Sequence, residues 1–201
     1  MGWRDICRAT DYRTLIANVL PVTAVNDKFL LMLPSIEARR AAALLGCLNS
    51  LASDFIARQK VGGTAFKYFT MKQVSVLSPH RYNEADLAFI VPRVLELTYT
   101  AHDLAGWAKD LGHEGPPFRF DPDRRASLRA ELDAYYARLY GLDRDELRYI
   151  LDPADVMGDD YPSETFRVLK NNDIKAFGEY RTQRLVLEAW DRLAASGGHA
   201  A

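Results

Sequence analysis

Leu48-Asn49-Ser50-Leu51-Ala52-Ser53-Asp54-Phe55-Ile56-Ala57-Arg58-Gln59-Lys60-Val61-Gly62-Gly63-Thr64 carries the chain from a helical pattern into a basic, glycine-rich loop. Over 36–56, Leu44, Leu48, Leu51 and Phe55 recur at 4- and 3-residue steps, the spacing of one apolar helix face. Gly62-Gly63 ends that helix. On the upstream side, residues 14–33 read as strands and turns. Leu15, Ile16, Val19 and Leu20 lead to Pro21, and Asn26-Asp27 punctuates before the apolar run 29–33. On the downstream side, Phe66, Tyr68 and Phe69 precede Val74-Ser75-Val76-Leu77, which alternates like a short strand before Pro79.

Beyond Tyr82 the pattern turns helical. Residues 87–90 open one helix, and Pro92 is better suited to a helix start than to its middle. The segment 112–123 is rich in Gly and Pro and reads as a loop or seam. Asp123 is placed to cap a helix whose Leu128, Leu132, Tyr135 and Leu139 form an apolar seam ending at Gly141. Asp143 and Glu146 have capping-box spacing for a short helix stopped by Pro153. An acidic turn region over 155–162 follows, then a last helix over 179–194 and a frayed Ser196-Gly197-Gly198 tail. The expected fold class is α+β: a small α/β part over 1–82 and a mainly helical part over 83–201.

The 201 residues are 48% hydrophobic and 26% charged, a globular composition that excludes disorder and low-complexity repeats. Formal charge is −1, but it is unevenly spread. Residues 1–82 hold 11 Lys/Arg against 5 Asp/Glu, a net of +6, and residues 83–201 hold 15 against 22, a net of −7. A basic half points to a polyanionic partner that the overall charge conceals. Cys7 and Cys47 form no CxxC pair and read as reduced thiols of a cytoplasmic protein. The opening Met-Gly-Trp-Arg-Asp-Ile lacks the charged-then-apolar plan of a secretory signal, and the apolar runs fall far short of the ~20 residues of a membrane span, so a soluble protein is expected.

Nucleotide-binding, metalloprotease and nucleophile-elbow signatures are absent, and His80, His102, His113 and His199 are scattered. Asp173-Ile174-Lys175 has the acid-x-Lys form of metal-dependent nucleases, although Asn171-Asn172 argues against the strand such a site prefers. The informative stretch is the loop. Gly62 and Gly63 let backbone amides approach a phosphate, Arg58, Lys60 and Lys67 supply counter-charge, Thr64 a hydroxyl, and Gln59 a group for a base edge. Lys72 is a further cation nearby. An equally weighted reading is a plain helix C-terminus, where cations complement the dipole and Gly caps.

Several separated stretches also keep their order in a known family. They are Leu48-Asn49-Ser50 with residues 54–64, Ile90-Val91-Pro92-Arg93 with residues 94–101, and Gly115-Pro116-Pro117-Phe118-Arg119. Residues 129–134, Leu139-Tyr140-Gly141-Leu142, residues 147–153, residues 164–169 and residues 178–190 continue the series. Together they resemble the C-terminal region of type IIG restriction–modification DNA adenine methyltransferases and of related phage-defence methyltransferases. The early part is also similar to target recognition domains of type I specificity subunits, apart from Leu77-Ser78-Pro79, where the family has consecutive prolines.

The resemblance implies double-stranded DNA as a partner and S-adenosylmethionine in a catalytic domain outside this chain. The Asn-Pro-Pro-Tyr motif that such enzymes place on a flipped adenine is missing, as is the glycine-rich strand-turn for the cofactor. The expectation is a detached recognition piece without catalytic or metal residues, whose DNA contacts are Arg58, Gln59, Lys60, Gly62, Gly63, Thr64, Lys67 and Lys72. Lys60→Ala and Arg58→Ala are both expected to flatten the salt dependence of DNA binding. The alternative is a protein–protein interaction module that packs on a methyltransferase or another subunit.

Overall fold

The computed structural model describes residues 1–162 and 164–197. Its first elements are β1 (Gly2–Arg4), β2 (Ala17–Asn18) and β3 (Phe29–Leu31), an antiparallel sheet in the order β2-β1-β3. Trp3 stands opposite Ala17 on one side and Leu30 on the other. Helices follow: α1 (Ala38–Leu48), α2 (Leu51–Lys60), the single turn α3 (Tyr68–Met71), α4 (Glu84–Thr98) and α5 (Ala105–Asp110). The series continues with α6 (Pro122–Leu139), α7 (Arg144–Leu151), the short α8 (Ala154–Met157), α9 (Arg167–Phe177) and α10 (Arg181–Ala195). The fold is α+β and mostly helical.

The helical pattern over 36–56 is two helices rather than one. Asn49 closes α1, and the Ser50 side chain accepts from the Ser53 N–H to begin α2. A polar pair that competes locally for backbone hydrogen bonds breaks the run without disturbing its apolar period. The expected strand over 74–77 is coil. Val74 and Leu77 are buried while Ser75 and Val76 face solvent, a spacing of three that no strand offers.

Pro92 does not begin a helix but lies within α4. Proline has no N–H to donate to the Ala88 carbonyl one turn back, so α4 runs through it one backbone bond short, and the Arg93 guanidinium beside it donates to the Phe89 carbonyl at 2.7 Å. The cap of α6 is Asp121, accepting from the Asp123 and Arg124 N–H groups, with Pro122 in the first turn; Asp123 is already helical. The capping box at Asp143 and Glu146 is formed, and it opens α7. Of the expected tail, Gly198 lies outside the described residues, as does His199.

The helix α6 is the spine of the molecule. Leu132, Tyr135, Tyr136 and Leu139 enter a core with Trp3, Leu45, Leu48, Leu87 and Ile90. Ala130, Ala134 and Ala137 enter a second core with Leu51, Leu147, Leu169, Val186 and Trp190. Small residues on that second face let α10 lie close against it. Gly46 plays the same part in α1, since a Cβ there would stand 2.7 Å from the buried Tyr136 hydroxyl. Tyr82, where the charge of the chain changes sign, is buried within the first core. The change in charge therefore coincides with no gap in packing.

Candidate nucleic-acid interface

The loop after α2 is held at its far end. The Phe66 N–H donates to the Asp5 carbonyl at 2.7 Å, the Cys7 N–H to the Thr64 carbonyl at 3.2 Å, and the Trp3 indole to the Phe66 carbonyl at 2.7 Å. An isolated antiparallel bridge joins Ile6 to Ala65. Gln59 and Lys60, in the last turn of α2, and Gly62, Gly63, Thr64 and Lys67, in the loop anchored in this way against the sheet, face solvent, and Lys72 lies exposed at the end of α3.

Among the described residues, neither Lys60 nor Lys72 has a carboxylate within ion-pair distance. Lys67 is half exposed and donates to Asp5 Oδ2 at 2.7 Å. Asp5 is buried, and its Oδ1 has no hydrogen-bond partner. Val61, not a glycine, caps α2, its N–H donating to the Ala57 carbonyl. Gly62 and Gly63 have no left-handed backbone, and a Cβ added at either would meet open space. A capping role would call for a left-handed glycine. Neither the local backbone nor a neighbouring atom requires glycine here.

Arg58 departs from the expectation. It is buried, and all three guanidinium nitrogens are engaged. Nε donates to Asp54 Oδ2 at 3.2 Å, Nη1 to the Ala9 and Thr165 carbonyls at 2.7 and 2.8 Å, and Nη2 to the Asp11 carbonyl at 2.7 Å. Its plane lies 4.5 Å over the Phe166 ring. Asp54, wholly buried, also accepts from the Thr14 and Leu15 N–H groups at 2.9 and 2.6 Å. Burial pulls the Arg58 pKa down and Asp54 pulls it back up. Arg58 is a clamp that ties residues 9–12 and 165 to α2, and its donors are not offered to a phosphate. In sequence it was indistinguishable from Lys60, because nothing local shows which cation faces inward.

The Asp173-Ile174-Lys175 triplet lies on α9, not on a strand. Asp173 is buried and accepts from the Thr182 N–H at 2.7 Å, so it caps α10, while Lys175, two residues on, is exposed on another side. Among the described residues, no three His, Cys, Asp or Glu side chains are grouped to hold a metal ion. Cys7 and Cys47 are both buried and unpaired, and burial pushes the Cys7 thiol up to about 11.

Sequence reading missed a second basic feature, a cleft of about 510 Å3 between β2, the junction of α1 with α2, α6 and α10. Arg125, Arg129 and Asp133 project into it from α6, and Arg181 from α10. The signal was present as the i, i+4 pair Arg125 and Arg129, but the net negative charge of the region hid it. Among the described residues, no helix is long and apolar enough to cross a membrane. Comparison with family models, curated proteins and solved structures found no match to this chain.

Proposed function

We propose that this chain is the DNA recognition module of a restriction–modification adenine-N6 methyltransferase, with catalysis performed by a domain that it does not contain. The observation that carries the reading is the loop over 59–72. It combines unpaired, exposed Lys60 and Lys72 with two glycines that neither backbone nor packing demands. Such a loop suits phosphate contact, in which lysines release counterions and bare backbone approaches the strand. Thr64 adds a hydroxyl and Gln59 the group best suited to a base edge. Lys67 divides its charge between a strand and Asp5.

S-adenosylmethionine belongs to the absent catalytic domain, since no glycine-rich strand-turn or Asn-Pro-Pro-Tyr motif occurs here. The setting is cytoplasmic, where unpaired cysteines stay reduced. The test is a salt titration of duplex DNA binding with the parent chain, Lys60→Ala and Lys72→Ala. Each variant is expected to make the slope of log K against log salt shallower by about 1. Identical slopes in all three proteins would refute the reading.

A second reading, a module that docks on a methyltransferase or partner subunit, is favoured by apolar exposure near the same sheet edge. Leu33 is 84% and Phe69 73% exposed. Co-purification with a catalytic domain that survives high salt, without DNA binding, would favour it.

A further inference from the structure

Two arginines of the acidic half line the cleft without a bound carboxylate among the described residues. Along α6 and its neighbours, Glu96 takes Arg124 through two 2.9 Å bonds, Glu131 takes Arg93 at 2.7 Å, and Asp123 takes Arg181 at 2.9 Å. Arg125 and Arg129 form no ion pair with any described residue. They are one helical turn apart on the face of α6 that lines the cleft, Arg125 half-buried over the Phe120 ring at 4.7 Å and Arg129 exposed. Burial first, and then the like charge of Arg129, pulls the Arg125 pKa down. Neither guanidinium is bound to a carboxylate of the described residues, although Glu96 acts on Arg125 and Asp133 on Arg129 at longer range, and two such groups one helical turn apart can offer donors to a doubly charged oxyanion.

The interior of the cleft differs from its mouth. Its walls are apolar, with Ile16, Leu97, Leu132, Leu169 and Leu185. Both inner carboxylates are engaged: Asp133 accepts from the Leu51 N–H at 2.7 Å, and Asp173 from the Thr182 N–H at 2.7 Å. The volume falls in the ~300–1,000 Å3 range of small-ligand pockets, in which a few charged groups orient an apolar body.

We infer that this cleft binds an organic phosphate, its phosphate gripped by Arg125 and Arg129 at the mouth and its apolar or ring-bearing body along the leucine wall. The phosphate comes either from a free nucleotide or from a nucleic-acid strand. The inference does not depend on the loop over 59–72.

The experiment is calorimetric titration of the whole chain with adenosine monophosphate, adenosine and inorganic phosphate, and in parallel with a short duplex. Arg129→Ala, Arg125→Ala and Lys60→Ala are titrated beside the parent. Adenosine monophosphate is expected to bind more tightly than either fragment. Arg129→Ala should weaken it about tenfold, as the loss of a charge-assisted hydrogen bond implies, with an unchanged unfolding midpoint because Arg129 is exposed. Lys60→Ala should leave it unaltered. Duplex affinity that falls in Arg129→Ala, with no nucleotide binding, would assign the phosphate to a strand. The inference is overturned if neither nucleotide nor duplex responds to the two arginine variants, or if adenosine binds as tightly as its monophosphate.

Discussion

The loop over 59–72 and the cleft along α6 are both basic, but they are made in opposite ways. The loop lies in the half of net +6 and owes its charge to composition, with lysines standing in solvent. The cleft lies between the two halves, and its Arg125 and Arg129 come from the half of net −7, where nearby carboxylates are occupied by other arginines. Segment charge therefore points to the loop and conceals the cleft. What matters is which cations are left without partners after the chain has folded. Arg58 and Lys60 make the point at close range, two residues apart on one helix, one locked inside and one free.

A series of substitutions ordered by burial should reproduce that contrast. Arg58→Ala is expected to be the most damaging. It removes the nearer cation from wholly buried Asp54, which keeps Arg13 at 3.7 Å and the Thr14 and Leu15 N–H groups, and it releases residues 9–12 and 165, so a loss of about 3 kcal/mol is expected in urea unfolding. If Arg58→Ala keeps its stability and loses only DNA affinity, the division between clamp and contact fails.

Next comes Asp133, beneath the cleft. Burial pushes its carboxyl up to about 6, against the pull of Arg13 and the Leu51 N–H, with Arg129 adding to that pull and Asp54 opposing it. Because the folded pKa lies above the unfolded value of about 4, the native state holds the extra proton between those values. This contribution is fully present below about pH 4 and is lost as pH rises through about 6. Asp133→Asn can still accept from Leu51. Relative to the parent, it should gain about 2–3 kcal/mol between pH 4 and pH 8, read from unfolding midpoints at the two ends. A constant difference between the two proteins would mean that Asp133 titrates as an ordinary carboxyl.

Lys67→Ala removes the close cation from buried Asp5 and should cost about 1 kcal/mol, a smaller loss because Lys67 is half exposed. Thermal melts at low and high salt would detect it, and the deficit should shrink in high salt. Lys60→Ala and Lys72→Ala should change stability by less than about 0.5 kcal/mol while still altering the salt dependence of DNA binding. A marked loss of stability in either would mean that the lysine belongs to the fold and not to its surface.

The elements that were legible in the sequence are those written in local chemistry. The capping box at Asp143, the apolar seam of α6 and the end of α2 before Gly62 depend on residues within a turn or two of one another. The break at Asn49-Ser50 was available in principle, since Ser is a preferred cap, but the uninterrupted apolar period masked it. Pro92 inside α4 was not legible because the local preference of proline is for a helix start, and the helix is carried through it by the burial of Ile90, Val91 and Val94 in the core. The strand over 74–77 was misjudged because alternation in four residues cannot reveal whether a partner strand exists.

By itself the sequence determined the α+β class, the positions of α6, α7 and α10 and a stretch rich in cations and glycine. Each of these follows from periodicity, capping and composition over short stretches of chain, whereas β1 and α9 were not legible in it. Tertiary structure alone decided that Arg58 faces inward, that Lys60 and Lys72 remain free, and that Arg125 and Arg129 line one cleft without a bound carboxylate among the described residues. Those outcomes depend on carboxylates and carbonyls from distant parts of the chain, such as Thr165 for Arg58 and Glu96 for Arg124. The strength of a charge is set by burial and by partners, and both come into being only when the chain packs.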